Sequence, residues 1–245
     1  MVSGKYSALS GAVAREQAMS NIAANLANVN ATGFKKDRVS FSSVLRGVKQ
    51  QEDARGINFT RIRKIGTDFS QGGMVPTGRP MDVAIDGEGF FKIRKNNEIY
   101  YTRAGHFQVD ENGMVKTEDG YNVLSGGNEP LQLDTNGMQD ILIDDTGNIS
   151  INGVLSDARL QTFAVNETDT LIKAGGTFYK LGEGGSDQPM ETYRVVQGSL
   201  ESSNVNMMEE MASMITTQRA FETHHKVLES YSKLGQKLDE LGTVG

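Results

Sequence analysis

Two long segments in which apolar residues recur at helical spacing, one at each end of the chain, constrain this sequence most. From about Val2 to Asn30 there is no Pro. The apolar residues there fall three or four positions apart, as on one face of a helix: Leu9, Ala12, Val13, Met19, Ile22, Ala23 and Leu26. This stripe is rich in Ala and thin, so the helix needs a partner. A second stripe runs from Met207 to the end without Pro, a length that favours coiled-coil packing.

Between these ends the apolar pattern changes to short runs separated by turn residues. Strands are predicted around Val83–Ile85, Phe90–Ile93, Ile99–Thr102, Phe107–Val109, Tyr121–Leu124, Leu131–Leu133, Ile141–Ile143, Ile149–Ile151, Leu160–Val165 and Phe178–Leu181. Asn-Gly and Asp-Gly steps between them provide the positive φ of tight hairpins. The 28 glycines and the absence of Trp also favour a turn-rich β region. The pattern predicts an antiparallel all-β middle domain over residues 76–197.

Residues 37–75 have mixed charge and no clean period, so they are expected to form an extended connecting segment. The fold class is therefore α+β. A discontinuous helical domain of residues 1–36 and 198–245 is joined through this segment to the β domain.

Composition excludes several kinds of function. A net charge of −6 and a pI near 5.2 argue against nucleic acid, which needs a basic face. With no Cys, disulfides, thiolate metal sites and thiol catalysis are excluded. No apolar run approaches the roughly 20 residues of a membrane helix, so no membrane insertion is expected. The first apolar stretch contains Ser7, Ser10 and Gly11, which makes it too polar for a signal peptide. If the protein leaves the cytoplasm, we expect it to do so without a cleaved leader.

Residues that would support catalysis or metal binding are nearly missing. There is no nucleophile elbow, P-loop or dinucleotide fingerprint. His106 lies at a predicted hairpin. His224 and His225 are adjacent on a helix, about 100° apart, so they cannot chelate one metal. The Asp-rich turns do not fit a calcium-binding loop. We predict no catalytic residue, no cofactor, no metal and no small-molecule substrate.

Three asparagines form a polar line on the N-terminal helix. Asn21, Asn25 and Asn28 lie at i, i+4 and i+7, nearly opposite the predicted apolar face. Asn is a mediocre helix former, so three in line need a reason. Either the line is a solvated outer face, or its amides bond to a neighbouring chain or line a wet channel. Under the second interpretation, Asn25→Leu should impair assembly and leave the monomer folded.

Several motifs, in order along the chain, resemble the flagellar basal-body rod and hook protein family. The run from Asn25 to Lys35 (Asn-Leu-Ala-Asn-Val-Asn-Ala-Thr-Gly-Phe-Lys) is similar to the family's N-terminal signature. Ser203-Asn204-Val205-Asn206 and the run from Met214 to Glu222 resemble its C-terminal region. Gln71 to Phe91 and Tyr101 to Gly113 are similar to its middle. The short length and residues 147–181 look more like the proximal-rod type than the distal-rod type.

This resemblance implies how the chain assembles. The two ends would pair as a helical hairpin in the inner tube of the rod, around the export channel, with the β domain outside. Partners would be further copies, other rod subunits and the flagellar export apparatus, in a rod that spans the periplasm and transmits torque to the hook. The expected assembly contacts are Leu9, Val13, Ile22, Asn25, Leu26, Asn28, Met214, Ile215, Phe221, Leu228 and Leu238.

Other interpretations remain open. Within the family, the chain could be a distal-rod or hook subunit, although a long insertion near residues 37–80 or a larger β domain is not seen. Outside it, a β-domain binding module or adhesin with helical dimerisation ends fits the same pattern. An enzyme has no constellation to support it, and activity lost on mutating His106 would be its sign.

Overall fold

The computed structural model describes residues 2–46, 57–134 and 140–242. Its two α-helices are α1 (Val2–Ala27) and α2 (Met207–Gly242). The strands are β1 (Asp37–Arg46), β2 (Ile57–Thr67), β3 (Met74–Pro76), β4 (Val83–Asp86), β5 (Phe91–Lys95), β6 (Glu98–Thr102), β7 (Phe107–Val109), β8 (Val115–Thr117), β9 (Asn122–Val123), β10 (Ile141–Ile143), β11 (Asn148–Ile151), β12 (Val154–Arg159), β13 (Phe163–Val165), β14 (Leu171–Gly175), β15 (Phe178–Leu181), β16 (Asp187–Pro189), β17 (Arg194–Gln197) and β18 (Ser199–Glu201). A short 3-10 turn covers Thr168–Thr170.

The chain divides into two compact units. The helical unit consists of Met1–Ala27, Asp37–Asp68 and Asn206–Gly245. The β-rich unit consists of Asn28–Lys36 and Phe69–Val205. The chain therefore passes four times from one unit to the other.

This division differs from the expected one at several places. Residues 198–205, expected with the C-terminal helix, and residues 69–75, expected in the connecting segment, belong to the β-rich unit. Asn28–Lys36, expected with the N-terminal helix, belongs to the β-rich unit. Asp37–Asp68, expected as an extended connection, belongs to the helical unit. There β1 and β2 form a long antiparallel hairpin, and a bulge between Ser40 and Phe41 shifts the strand register. A bulge breaks the strict alternation of side chains, which is why no strand period was recognised.

In the helical unit, α1 packs against α2 and both strands of the hairpin pack against α1. Helix α1 ends at Ala27, three residues before the predicted end. Helix α2 begins after Asn206, whose side-chain Oδ1 accepts hydrogen bonds from the N–H groups of Met208 and Glu209. Asn206 is thus the N-cap of α2.

The β-rich unit is antiparallel in every strand pairing of its described residues. Seven strands form one sheet in the order β14-β15-β6-β5-β9-β8-β7. A three-stranded sheet has the order β10-β11-β12, and the pairs β13-β16, β17-β4 and β18-β3 complete the unit. The antiparallel prediction is confirmed. Strands β3, β12, β14, β16, β17 and β18 were not among the predicted strands. Leu131–Leu133, predicted as a strand, forms only an isolated bridge between Gln132 and Met114.

Two apolar clusters form the core of the β-rich unit. The larger one includes Val83, Ile85, Phe91, Ile93, Phe107, Val115, Val123, Leu131, Leu133, Ile149, Leu160 and Val195. The smaller contains Phe90, Tyr101, Phe163, Leu171 and Tyr179. Most of these residues lie in the runs predicted as strands. The Asn152–Gly153 turn, with φ of 52° and 79°, gives the positive φ expected of such a step. The predicted Asn136-Gly137 turn lies outside the described residues.

Candidate assembly site

Small residues, and not the large apolar ones, form the buried side of α1. The buried residues are Ala8, Gly11, Ala12, Ala14, Ala18 and Asn25. Leu9 and Val13 are almost half exposed. Small side chains let two helix backbones approach closely, since the distance between axes depends on the residues at the contact. The apolar period therefore identified the helix but not the side that packs against its partner.

The two helices pack in an antiparallel register with a seven-residue interval. A Cβ placed on Gly4 would overlap the hydroxyl of Tyr231. A Cβ placed on Gly11 would lie 2.6 Å from the His224 ring, closer than real Cβ contacts come. Seven residues forward on α1 therefore correspond to seven residues back on α2, an interval typical of coiled coils.

The same interval continues to the other end of the helix pair. It places Ala18 opposite Thr217, and both residues are buried. It then places Asn25 opposite Glu210, and here the Asn25 Nδ2 lies 3.4 Å from the Glu210 Oε2. We call these four positions on each helix the seam: Gly4, Gly11, Ala18 and Asn25 on α1, and Tyr231, His224, Thr217 and Glu210 on α2.

Asn25 is bonded within its own chain. Its Oδ1 accepts a hydrogen bond from the Asp37 N–H at 3.0 Å, and its Nδ2 donates to the Asp37 carbonyl at 3.0 Å. These two hydrogen bonds resemble those that two paired residues exchange in an antiparallel sheet. They hold the start of β1 against the last turn of α1. Asn25 is buried, so a solvated outer face does not describe this position. Asn21 and Asn28 are half-buried.

Large apolar side chains remain exposed along both helices. They are Tyr6, Leu9, Val13, Met207, Met208, Met211, Ile215, Val227, Leu234 and Leu238. On α2, Thr223, Lys226, Val227, Ser230, Tyr231 and Leu234 also line an open groove of about 410 Å³. A row of exposed apolar residues on a helix is typical of a surface that another helix covers. None of the described helices is long and apolar enough to span a membrane.

A cluster of buried charges lies in the β-rich unit. The Lys35 Nζ is 2.5 Å from the Glu201 Oε1, and both residues are 0% exposed. The Arg103 Nη1 is 3.2 Å from the Glu201 Oε2. Burial lowers the pKa of Arg103 below its usual value, and Glu201 opposes that shift by favouring the charged guanidinium. We call Lys35, Arg103 and Glu201 the ion cluster.

Besides the segment that contains Arg103, the ion cluster joins three separate segments of the β-rich unit. Lys35 also donates to the Ser70 carbonyl at 2.7 Å, and Glu201 accepts from the Gly72 N–H at 2.9 Å. The Gly33 N–H donates to the Glu201 carbonyl at 2.8 Å. These contacts tie together residues 28–36, 69–73 and 199–205. The three segments contain the four points where the chain enters or leaves the unit. Replacing one charged side chain of the ion cluster by an uncharged one would leave the opposite charge buried without a compensating partner.

The residues beside Lys35 are closely packed as well. Gly33 has φ of 68°, and a Cβ there would overlap the backbone of Arg103 and Ala104. Phe34 is buried, and the Lys173 Nζ lies 4.1 Å from the centre of its ring. Asn204 accepts a hydrogen bond from the Lys36 N–H at 2.8 Å. The Gly-Phe-Lys run is thus required by close packing and by the ion cluster.

The residues considered for catalysis are used in local structure. The His106 Nδ1 lies 2.6 Å from the Asp82 Oδ1 and 2.9 Å from the Arg79 Nη2. Burial raises the pKa of Asp82, but hydrogen bonds to Thr77, His106 and Arg79 outweigh it and leave the pKa below its usual value. His225 pairs with Glu229 one helical turn away, at 3.5 Å. No group of His, Asp and Glu side chains among the described residues could hold a metal ion.

Three family models match successive parts of the chain. The model described as Flagella basal body rod protein matches residues 6–35. The Flagellar hook protein FlgE/F/G D1 domain matches residues 84–151, and the Flagellar basal body rod FlgEFG protein C-terminal model matches residues 196–241.

Complete proteins show the same relationship over the whole chain. The flagellar basal-body rod protein FlgG of Bacillus subtilis is 33% identical over 98% of this chain and 99% of its own length. The chain belongs to the flagellar basal-body rod protein family. The rod protein FlgF of Caulobacter vibrioides is 29% identical over 98% of both chains. FlgF of Mesorhizobium japonicum is 32% identical over 89% of this chain and 88% of its own.

The matched parts of this rod-family chain contain both features described above. The N-terminal and C-terminal matches cover most of the seam, and they also include Lys35 and Glu201. Of the ion cluster, Lys35 and Arg103 lay in motifs singled out from the sequence. Glu201 pairs with both, across 166 and 98 residues of sequence, and a single sequence carries no sign of such a pairing. Glu201 and Ser199 lie on the buried side of β18, while Leu200 between them is half-buried, so the polar residues and not the apolar one face inward.

Proposed function

We propose that this chain is a structural subunit of the bacterial flagellar basal-body rod and polymerises through its two terminal helices. The observation that carries this proposal is the row of exposed apolar residues along α1 and α2, on helices whose facing sides already pack together. Such a row needs neighbours, because large apolar patches are rarely left in water. Membership of the rod family supplies the identity of the assembly.

We further propose that α1 and α2 form an antiparallel coiled-coil hairpin. The seven-residue interval of the seam, with contacts at Gly4, Gly11 and Asn25, supports this geometry. Contacts repeated by a screw operation between copies then build an open helical assembly. In this tube the β-rich unit packs on the outside, and many subunits in parallel transmit motor torque to the hook.

The proposed assembly contacts fall into two sets. Leu9, Val13, Ile215 and Leu238 are exposed and available to neighbouring subunits. The others are half-buried except Asn25, which is buried: Ile22, Leu26, Asn28, Met214, Phe221 and Leu228. These residues contribute by holding the hairpin in the shape that polymerises. Asn28 acts through the β-rich unit, to which it belongs.

The proposed partners are further copies of the chain, other rod subunits and the flagellar export apparatus, which family membership supports. The proposed location is the part of the basal body that spans the periplasm. The proposed role is mechanical and not enzymatic. The contacts of His106 with Asp82 and Arg79 support this view, because they use the one candidate general base in fixing a loop.

Electron microscopy of basal bodies from a strain lacking the chain tests this function. Membrane rings without a complete rod are expected. The intact gene should restore the rod, and copies lacking residues 2–27 or 207–242 should not. Complete rods with normal filaments in the deletion strain would reject the role and favour a β-domain binding module.

A proximal-rod position, as in FlgF, is the first proposal, and a distal-rod position is the second. The second is favoured by the 33% identity to a FlgG protein over nearly the full length of both chains. The same micrographs separate the two. A deletion strain that keeps a short rod stump attached to the inner ring has lost a distal subunit, whereas a strain without any stump has lost a proximal one.

A further inference from the structure

The two ends of the seam are matched in different ways. On α1 the seam residues grow from Gly4 and Gly11 through Ala18 to Asn25. The residues that face them on α2 begin with the largest, Tyr231 and His224. Where Gly4 and Gly11 stand, the facing side chain occupies the volume of the missing Cβ. Where Asn25 stands, the contact is a polar one to Glu210.

This arrangement penalises a shift of one heptad in either direction. If Tyr231 moved opposite Gly11, His224 would come opposite Ala18, whose Cβ would occupy the space that the His ring needs. If Tyr231 moved past the start of α1, Glu210 would come opposite Ala18, and Asn25 would face residues ahead of α2, which begins at Met207. One shift creates an overlap, and the other removes the contact between Asn25 and Glu210, while Asn25 keeps its two hydrogen bonds to the Asp37 backbone. Both cost free energy.

The large apolar residues of the two helices do not make this distinction. Leu9, Val13 and Ile215 are exposed in the hairpin and can contact any apolar helix. In an assembly of many similar helices, such stripes would permit pairing with a wrong partner or in a wrong register. Polar and shape-selective positions are the features that set register in helix pairs.

We propose that the seam is the specificity determinant of the hairpin. Gly4, Gly11, Ala18 and Asn25 select α2 of the same chain, in this register, against α2 of neighbouring copies and of related subunits. The partner that fits is an antiparallel helix with bulky rings one heptad apart at its far end and a hydrogen-bonding side chain in its first turn. This inference rests on the proposed function for its biological context, but its geometry can be tested separately.

Disulfide mapping tests the register, because the chain has no Cys of its own. Ala18→Cys is combined with Thr217→Cys in one full-length variant, and with Glu210→Cys or His224→Cys in two matched controls. Each control is shifted by one heptad, about 10 Å along the helix, which exceeds the reach of a disulfide. Oxidation is carried out in intact cells and in isolated basal bodies, and products are separated by non-reducing electrophoresis. The Thr217 pair should cross-link within one chain at least about tenfold more than either control.

A size-exchange experiment tests whether the seam causes this selectivity. Gly11→Leu should reduce the Ala18–Thr217 cross-link about tenfold, because the new side chain overlaps the His224 ring. Adding His224→Ala should restore most of the cross-link. Gly235→Leu on α2 is the control, since a Cβ there meets no atom within 4 Å.

Three outcomes would overturn the proposal: equal cross-linking of the shifted pairs, a bond that joins two chains, or no bond in any pair. Unchanged cross-linking in Gly11→Leu would also overturn it. The deletion strain answers the separate question of rod function. Complete rods there, together with a selective Thr217 cross-link, would reject the proposed function and leave the register intact.

Discussion

The helical unit and the β-rich unit are stabilised by contrasting means. The β-rich unit buries its large apolar residues in two clusters and uses buried charges to tie its segments together. The helical unit closes its seam with small residues and leaves its large apolar side chains exposed on both helices. The β-rich unit buries its own apolar side chains and pairs its buried charges, whereas the helical unit leaves large apolar side chains exposed. Under the proposed function, folding and assembly would depend on different residues, and the following substitutions test this separation.

The largest effect is expected from Glu201→Leu in the ion cluster. This change leaves Lys35 and Arg103 buried without their carboxylate and should lower the free energy of unfolding of the β-rich unit by about 3–5 kcal/mol. Denaturant unfolding followed by Tyr fluorescence measures it. Lys180→Met in the exposed Lys180–Glu98 pair is the control and should leave the unfolding midpoint unchanged. Equal unfolding midpoints for the two variants would show that the ion cluster does not stabilise this unit.

Two matched isoleucine substitutions test the contrast directly. Ile93→Ala in the β core, where the side chain is 0% exposed, should cost about 2–5 kcal/mol of unfolding free energy. Ile215→Ala on α2, where the side chain is 53% exposed, should change the unfolding free energy by less than about 0.5 kcal/mol. Yet Ile215→Ala should reduce the number of complete rods counted by electron microscopy. Normal rods in that variant would show that the exposed stripe does not contribute to assembly.

Substitution of a glycine beside the ion cluster should have an intermediate effect. Gly33→Ala combines the cost of a left-handed conformation, about 1–2 kcal/mol, with overlap against the backbone of Arg103 and Ala104, about 1–3 kcal/mol. Gly78→Ala has nearly the same φ but open space, so it should show the first cost alone. The difference between the two unfolding free energies isolates the close approach. If Gly78→Ala proves equally damaging, the backbone conformation is the whole effect.

Asn25 belongs to the helical unit but is satisfied in the manner of the β-rich unit. Asn25→Leu removes both bonds to the Asp37 backbone and should cost about 1–3 kcal/mol in thermal unfolding followed by circular dichroism. Asn21→Leu, at a half-buried position, is the control. This outcome replaces the expectation from sequence that the monomer would be unaffected. The Asn25→Leu protein could instead be as stable as the unmodified chain but unable to form rods. That result would show that Asn25 acts in contacts between subunits.

The smallest effect is a dependence on pH in the β-rich unit. The pKa of Asp82 is lower in the folded chain than in the unfolded one, so its ionised form stabilises the fold above the unfolded value of about 4. That stabilisation is lost as pH falls through the folded pKa. Asp82→Asn should therefore flatten the acid limb of a plot of unfolding midpoint against pH below about 4. An unaltered acid limb would exclude Asp82 as a contributor.

Sequence patterns predicted the parts of this fold that follow a period. Helical spacing located both helices, and turn residues located most strands of the β core. The β1–β2 hairpin was missed because the bulge opposite Ser40 and Phe41 adds one residue, Arg63, to β2 and so interrupts the alternation there. The seam was missed for a different reason. Apolar periodicity gives weight to Leu9 and Val13, whereas close packing of helices depends on Gly4 and Gly11, which carry almost no apolar surface.

The ion cluster could not be predicted because it depends on tertiary folding. Glu201 meets Lys35 across 166 residues of sequence, and both charges are buried only after the strands between them have formed. The same holds for Asn25. Its position in a polar line was visible, but its partner Asp37 became evident only with the path of the chain after α1.

The burial of the ion cluster also determines how the protein responds to salt. Ions in solution screen exposed pairs such as Lys180–Glu98, but they cannot enter the space between Lys35 and Glu201. The ionic strength of the medium around the subunit therefore affects the exposed pairs first. The contacts that unite the three segments of the β-rich unit are thus independent of that medium. At low and at high ionic strength, the same ion pairs hold the three segments together.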